Sequence, residues 1–432
     1  MNKKKVLIIS YYWPPAGGPG VQRWLKFAKY LPEFDVEPVI YTPENPSYPI
    51  VDKTLLNEIP ENLKQLKTKI WEPYRIAELF NSKSADYKAG HFEKSEKQSV
   101  LTKLLVYVRG NFFIPDARKF WIKPSVKFLS NYLKHNPVDV VISTGPPHSM
   151  HLIGKALKEQ NPNFKWLADF RDPWTQISYH SELKLSKNAK NKHIKLEKSV
   201  MQSADCLIAT SYTDAENYKK IGAKRVEVIT NGFEYADFEQ ALKKRSRTSK
   251  FRITYSGGLE IARNPVGVWK ALQELVAESQ EFKSNLELVF YGNLSEETEN
   301  SIKEHSLSFC LNKKGYVSHS ESIQGIVNSE LLLLCNFPDE KSKGIIPGKL
   351  FEYLATQNPI LATGPDDADV EKILQQTGSG EYFLNADILG IKNYIAEIYK
   401  KRKGDSSQVS GIDNFSRKSL SAKLAGLIKD IA

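Results

Sequence analysis

Val6-Leu7-Ile8-Ile9-Ser10, running into Tyr11-Tyr12-Trp13-Pro14-Pro15-Ala16-Gly17-Gly18-Pro19-Gly20, decides how the rest of the chain is read. A short unbroken apolar run stopped by prolines and glycines describes a strand covered on both faces that empties into a loop. Val21, Trp24, Leu25, Ala28 and Leu31 then recur at helical spacing and share one face, which predicts a helix over 21–31. Val36–Tyr41 is apolar again. A strand, a glycine-rich loop, a helix and a second strand form the repeating piece of a parallel sheet with helical crossovers.

The alternation resumes further on. Strands are expected at 138–143, 165–170, 205–210 and 225–229, with helices at 149–159, 191–202 and 213–220. Residues 43–133 mix polar and aromatic segments and show few clear strands; they read as an elaborated, partly helical insertion. Lys243-Lys244-Arg245-Ser246-Arg247-Thr248-Ser249-Lys250 has no apolar residue and is the best linker. A second series follows it. Strands are expected at 251–256, 286–291, 314–317, 331–335 and 359–363, with helices at 265–279, 295–305, 320–328, 349–355 and 368–376. Leu420, Leu424, Leu427 and Ile431 carry helical spacing through the tail. The expected domains are 1–240, 251–412 and a terminal helix at 413–432.

A chain of 432 residues exceeds one ordinary core, and 41% hydrophobic with 26% charged residues is a globular mixture. The net charge of +11 favours anionic partners without choosing among nucleic acid, acidic membranes and phosphorylated substrates. Cys206, Cys310 and Cys335 form no CxxC pair or Cys/His cluster, so neither a disulfide framework nor a zinc site is supported. This usage suits a reducing compartment. No signal-peptide pattern or membrane-spanning run is read. The expectation is a cytoplasmic protein, soluble or peripherally bound at the inner face of the plasma membrane.

Five loops carry the chemistry, each at the carboxyl end of an expected strand, where open α/β sheets bind ligands. In Pro14–Gly20, Gly17 and Gly18 let backbone N–H groups approach a phosphate at a helix start; the ordinary alternative is a tight turn. In Ser143–Ser149, His148 offers a proton donor or acceptor, or is incidental beside the helix cap Ser149. In Ala168–Trp174, Asp169 and Asp172 suit sugar hydroxyls or a proton, with Arg171 holding one of them ionised; the alternative is a structural Asp–Arg pair and a turn. Tyr255-Ser256-Gly257-Gly258-Leu259 leads to Arg263, which sits where a diphosphate needs a cation unless it is a surface arginine. In Lys343–Tyr353, Pro347 and Gly348 bring backbone close to a ligand at a helix start, and Glu352 is placed for a ribose diol unless it faces solvent. Asp367-Ala368-Asp369 fits a metal-holding DxD pattern but reads as a helix cap, so no metal is expected.

Pro14–Gly20 with its helix, Asp169–Trp174, Ile229-Thr230-Asn231-Gly232-Phe233, Gly257–Arg263 and Gly344–Tyr353 resemble, in this order, the retaining GT-B glycosyltransferases of family 4, in their group 1-like, surface-polysaccharide form. The resemblance spans about residues 5–430 and weakens between 45 and 135. It implies an α/β fold of two Rossmann-like, doubly wound domains facing a cleft, with the C-terminal helix returning to the N-terminal domain. It implies a nucleotide-diphosphate sugar, with UDP as the expected base, held mainly by the second domain, and a glycan or lipid-linked acceptor held mainly by the first. No obligatory cofactor is expected. By this resemblance Gly17 and Gly18 face the donor phosphates, Arg263 matches a phosphate-binding cation, Glu352 matches the ribose-binding glutamate, and the Asp169–Arg171 segment matches the wall where acceptor and donor sugar meet. Gly344 stands where the family often carries a glutamate eight residues before Glu352; Lys343 or Lys349 compensates by binding phosphate.

Two other readings compete. One is a sugar-nucleotide epimerase of the same fold. The other is a non-catalytic basic protein that binds a membrane. Tyr107–Phe113, with Arg118, Lys119, Phe120, Trp121 and Lys123, mixes cations with aromatics and suits a membrane surface or a lipid-linked acceptor, or else a helix-packing insertion. No nucleic-acid motif is found, and no nucleic acid is expected as a partner.

Overall fold

The computed structural model of the chain describes residues 3–73, 100–176, 183–246, 248–402 and 410–432, the side chains of 100–103 and 105 excepted. The chain divides into unit 1, Met1–Thr230 with Leu420–Ala432, and unit 2, Asn231–Ser419.

Unit 1 holds a seven-stranded sheet of β1 (Lys4–Ile9), β2 (Val36–Pro43), β3 (Lys64–Thr68), β4 (Val140–Gly145), β5 (Lys165–Phe170), β6 (Cys206–Ala209) and β7 (Val226–Val228). Their order is β3-β2-β1-β4-β5-β6-β7 and every pairing is parallel. Helices α1 (Pro19–Tyr30), α2 (Val100–Phe112), α3 (Ile122–His135), α4 (Ser149–Gln160), α5 (Lys187–Ser203) and α6 (Tyr212–Ile221) connect or flank the strands. The apolar run of β1 is explained by its two neighbours in space. Leu7 and Ile9 enter a core with Val141, Trp166 and Leu129, while Val6 and Ile8 enter a second core with Trp24, Leu25 and Ile142. Successive strand residues point to opposite faces, so both faces need apolar side chains.

Unit 2 repeats the design with β8 (Phe251–Ser256), β9 (Leu286–Tyr291), β10 (Leu311–Gly315), β11 (Leu331–Cys335), β12 (Ile360–Thr363) and β13 (Gly380–Phe383). Their order is β10-β9-β8-β11-β12-β13, again parallel throughout. Its helices are α7 (Tyr235–Lys243), α8 (Val266–Glu278), α9 (Gln280–Asn285), α10 (Glu296–Glu304), α11 (His319–Val327), α12 (Gly348–Thr356), α13 (Asp369–Thr377) and α14 (Ile388–Lys401). Both sheets thus have the doubly wound order in which the first strand is central and the chain reverses direction beside it. The last helix, α15 (Arg417–Ile431), returns to unit 1, where Leu420, Leu424, Leu427 and Ile428 join the core of Val6, Ile8 and Trp24.

Three expectations are corrected. The stretch 43–133 is not all insertion: Lys64–Thr68 completes the sheet as β3, paired with β2, and α3 is a crossover helix burying Val126, Leu129 and Leu133. β3 has no apolar signature because Lys64-Gln65-Leu66-Lys67-Thr68 is a polar edge strand. The unit boundary lies at Thr230/Asn231, ahead of the basic run, since α7 belongs to unit 2 and Gln324 donates to the carbonyl of Ala241. The edge strand β10 starts three residues earlier than expected and ends at Gly315, which has φ 67°.

One buried cluster fixes the point where the chain leaves unit 1. Arg23 on α1 is 2% exposed and donates to the carbonyls of Thr230 at 2.7 Å and Ile229 at 2.8 Å. Its Nη2 also lies 3.1 Å from Asp169 Oδ1 at the end of β5. The other carboxylate oxygen accepts from Trp24 Nε1 at 2.9 Å and Thr144 Oγ1 at 2.8 Å. Such a pair is costly to break, because one desolvated charge remains. Asp169→Ala should therefore destabilise unit 1 by about 3–5 kcal/mol, read as an earlier denaturant transition in tryptophan fluorescence; an unchanged midpoint would remove this cluster from the account.

Candidate functional site

In a doubly wound sheet the loops leaving the central strand and its neighbour part in opposite directions, and the gap receives ligands. In unit 2 those strands are β8 and β11, so the segments after Ser256 and Cys335 supply the site. The first is shaped by Gly257, at φ 101°, whose N–H donates to Tyr291 O at 2.7 Å. Gly292 packs on it so closely that a Cβ there would stand 2.7 Å from Gly257 O. The second is tied down by Asn336, which donates to Ile345 O at 3.0 Å, and by Tyr353, whose hydroxyl accepts the Ser256 N–H at 2.9 Å. That last bond locks α12 to the end of β8.

Two cations meet at this gap. Half-buried Arg263 donates to Gly258 O at 2.9 Å and lies over the Phe337 ring at 5.3 Å. Its Nε is buried without a hydrogen-bond partner among the described residues. Lys349, in the first turn of α12, holds its Nζ 3.7 Å from the Tyr255 ring centre and 3.0 Å from where a Cβ of Gly257 would be. Burial, then the neighbouring Arg263 charge, pushes the Lys349 ammonium down to about 7. Among the described residues neither cation has a carboxylate within ion-pairing distance. The N-cap of α12 is Pro347, which makes no side-chain cap bond, and a Cβ on Gly348 would meet open space. Uncompensated cations beside a helix start form an anion cradle.

Glu352, one turn into α12, is partly exposed and its Oε1 lies 3.3 Å from His319 Nε2 at the start of α11. His319 had no signal in the sequence, because the contact joins two helices. Lys343 is placed differently from expectation: its ammonium pairs with Glu340 at 3.0 Å on the preceding turn, away from Arg263 and Lys349 in its bonding. Gly258 contributes its carbonyl, which accepts from Arg263 and from the Tyr255 hydroxyl. Asp367 and Asp369 share Lys372, at 3.2 and 3.3 Å, and the N-cap of α13 is Ala368, so the aspartates are bound to a lysine rather than capping. Among the described residues no group of three His, Cys, Asp or Glu could hold a metal.

In unit 1 the corresponding gap lies between β1 and β4. Gly17 donates its N–H to Ile50 O at 3.0 Å within a small antiparallel bridge of Ala16 with Val51, so that donor is committed inside the protein. Gly18, at φ 105°, caps α1 and a Cβ on it would meet nothing within 4 Å. Arg171 lies over Gly20, where a Cβ would stand 1.4 Å from its Nη1, and it donates to the carbonyls of Gly145 and Pro146. Asp172 beside it is exposed. Asp169 has no exposed surface, and His148 is 3% exposed and stacked on Trp174 with ring centres 4.6 Å apart. The loop after β4 and β5 therefore presents Arg171 and Asp172, while Asp169 and His148 are part of its foundation. All three cysteines are buried and free.

No known protein-family profile and no curated protein matches the sequence. Solved structures do. Sucrose-phosphate synthase from Thermosynechococcus elongatus aligns over 99% of this chain and 99% of its own, with 14% identity and a TM-score of 0.59. A UDP-forming α,α-trehalose-phosphate synthase from Burkholderia xenovorans, in complex with glucose-6-phosphate, covers 99% of each chain at 10% identity and a TM-score of 0.56. A Listeria monocytogenes protein assigned by description only as a UDP-N-acetylglucosamine 2-epimerase covers 99% and 96% at 10% identity and a TM-score of 0.53. At these identities the likeness is one of fold. The chain has the GT-B fold, two parallel-sheet units of seven and six strands in matching order. No helix among the described residues is long and apolar enough to cross a membrane.

The His319–Glu352 contact is testable without any ligand. Its hydrogen bond to the carboxylate is the leading cause that raises the His319 imidazolium above its ordinary range. The bond is thus present below the ordinary histidine value and lost as pH climbs through the raised one. NMR titration should show a high His319 midpoint that falls in Glu352→Gln; identical midpoints in both proteins would mean the contact does not form.

Proposed function

We propose that the chain is a glycosyltransferase that moves a sugar from a nucleotide-diphosphate sugar, a UDP-sugar in the first instance, to a glycan or lipid-linked acceptor. The observation that carries this reading is the pair Arg263 and Lys349, two cations without acidic partners among the described residues, gathered beside Gly257 and a helix start. An enzyme that expels a nucleoside diphosphate needs fixed positive charge where the leaving group gathers negative charge. Arg263, Lys349 and the first turn of α12 supply it from protein groups, which makes the reaction metal-independent in this reading. Glu352, steadied by His319, accepts hydrogen bonds from the ribose diol. Gly344, in place of a glutamate, leaves the sugar itself to other contacts.

Arg171 and Asp172 in unit 1 are the acceptor-side candidates, with Asp169, His148 and Arg23 holding their loop in shape. Gly18, free of the bridge that occupies Gly17, is the glycine of the first loop open to close approach. The acceptor hydroxyl attacks from the face the diphosphate leaves, the new glycosidic bond forms as the old one breaks, and a departing phosphate oxygen takes the hydroxyl proton. Configuration is retained and no strong protein base is needed. The resemblance to the surface-polysaccharide form of the family supports a role in cell-surface glycan synthesis from the cytoplasmic side of the membrane.

UDP should raise the melting temperature in a concentration-dependent way, since a ligand that binds only the folded state stabilises it. Failure of UDP, GDP, ADP and their sugars to do so at millimolar concentration would sink the reading. Arg263→Ala and Lys349→Ala should each weaken UDP by roughly 10- to 100-fold, the worth of one charged hydrogen bond. Because Lys349 holds its proton only below about 7, UDP affinity should decline from pH 7 upward, by up to about tenfold per pH unit. Lys349→Arg, always charged, should flatten that decline. Calorimetric titration across pH checks both; an affinity that rises with pH in the native protein excludes Lys349 from the cradle. Conversion of a UDP-sugar to its epimer without acceptor would assign epimerase chemistry instead.

A further inference from the structure

Residues 100–135 hold seven basic residues, Lys103, Arg109, Arg118, Lys119, Lys123, Lys127 and Lys134, against one acid, Asp116. Asp116 is spent internally, accepting from the Ser149 N–H at 2.9 Å and its hydroxyl at 2.8 Å. The structure sorts the basic and aromatic residues of this stretch into two sets. Arg118 and Trp121 are core: Arg118 pairs with the buried Glu72 at 3.3 Å, and Trp121 is stacked on Tyr41 at 4.8 Å. Phe112, Phe120, Lys123, Lys127 and Lys134 form an outward stripe together with Trp71. Phe112 is 65% exposed, Trp71 54% and Phe120 42%, and Trp71 meets Phe120 edge to face at 4.7 Å. Lys119 lies over the rings of Phe113 and Phe120 at 5.3 and 5.0 Å.

Phe120, Lys123, Lys127, Asn131 and Lys134 follow at helical spacing, so the stripe continues along α3. Lys123, Lys127 and Lys134 are exposed and line an open groove of about 560 Å³ between α3 and α4, floored by Ile122, Val126 and Ala156. No acidic residue lines it, and among the described residues none of the three lysines has a salt bridge. An ordinary solvated helix face intersperses both signs of charge, and large exposed aromatics are normally scattered singly. Here aromatic rings at one end and unneutralised lysines along the rest combine the two components by which a protein surface settles on lipid.

We propose that this face of unit 1 docks the protein on an anionic bilayer, with Phe112, Phe120 and Trp71 entering the headgroup layer and Lys123, Lys127 and Lys134 lying against anionic headgroups. The complementary charge selects the occupant: a neutral membrane or an uncharged glycan leaves the lysine row without partners. The inference deepens the proposed reading by giving a lipid-linked acceptor a surface to come from, and it is measured independently of nucleotide binding.

The test is co-sedimentation of the full chain with phosphatidylcholine vesicles, with and without one third phosphatidylglycerol. The protein should pellet only with the anionic vesicles. Each lysine near such a surface contributes about a factor of five, so Lys123→Glu, Lys127→Glu and Lys134→Glu together should lower partitioning by at least about 100-fold. Phe112→Ser with Phe120→Ser should remove the part of binding that survives added salt. A charge-matched control, Lys270→Glu, Lys314→Glu and Lys400→Glu in unit 2, should retain most of it. An unchanged UDP-induced thermal shift in the α3 triple variant shows that it is folded. Equal loss in the control would reduce the effect to net charge and overturn the proposal. So would equal binding to neutral vesicles, or displacement of the vesicles by a short single-stranded oligonucleotide whose own binding needs the same lysines. Absence of a UDP shift in the native protein would sink the transferase reading and leave the vesicle result standing.

Discussion

Every strand pairing in both sheets is parallel, and this constraint orders the rest. Parallel strands cannot be joined by tight turns; each connection must cross over the sheet, usually as a helix. All carboxyl ends then fall on one edge, and wherever the chain changes direction beside its first strand two loops part. The glycines at 17, 18, 257 and 258, the arginines at 171 and 263, and the α12 start at Gly348 all belong to segments that leave such edges. Their chemistry is local, but their gathering within each unit is a property of that unit's strand order.

This explains why the central elements were legible in the sequence. Lys165–Phe170, Phe251–Ser256, Leu286–Tyr291 and Leu331–Cys335 are found with the expected bounds, because burial on both faces makes most of their positions apolar, and Arg252 and Glu287, which interrupt two of them, pair with each other. β3, β10 and β13 lie at or near sheet edges, where one side lacks a neighbour and polar residues are tolerated. Lys64–Thr68 and Gly380–Phe383 consequently carried no signal, and Leu311–Gly315 was displaced.

The site residues divide by a similar logic. Sequence order places a residue on a loop but does not say which way the side chain faces. Arg263, Lys349 and Glu352 flank the gap in unit 2. Asp169 and His148, from equally suggestive loops, turn inward to Arg23, Trp24 and Trp174. Arg23 and His319 were invisible because their partners are distant in the chain, at 169, 229–230 and 352. Lys343 and Lys349 are equivalent in sequence context, but among the described residues only Lys343 pairs with a carboxylate, that of Glu340. Charged groups become informative only when their neighbours are known.

α15 has a consequence for how the protein is made. Leu420, Leu424, Leu427 and Ile428 cover apolar surface of β1 and α1, yet they are translated only after all of Asn231–Ser419. At ordinary ribosomal speeds that interval is on the order of tens of seconds. During it the nascent first unit carries an open hydrophobic seam while the second, an uninterrupted stretch of chain, is free to finish. Unit 1 therefore completes its core only when α15 emerges, and a premature stop shortly before residue 420 would cost more than thirteen residues of structure.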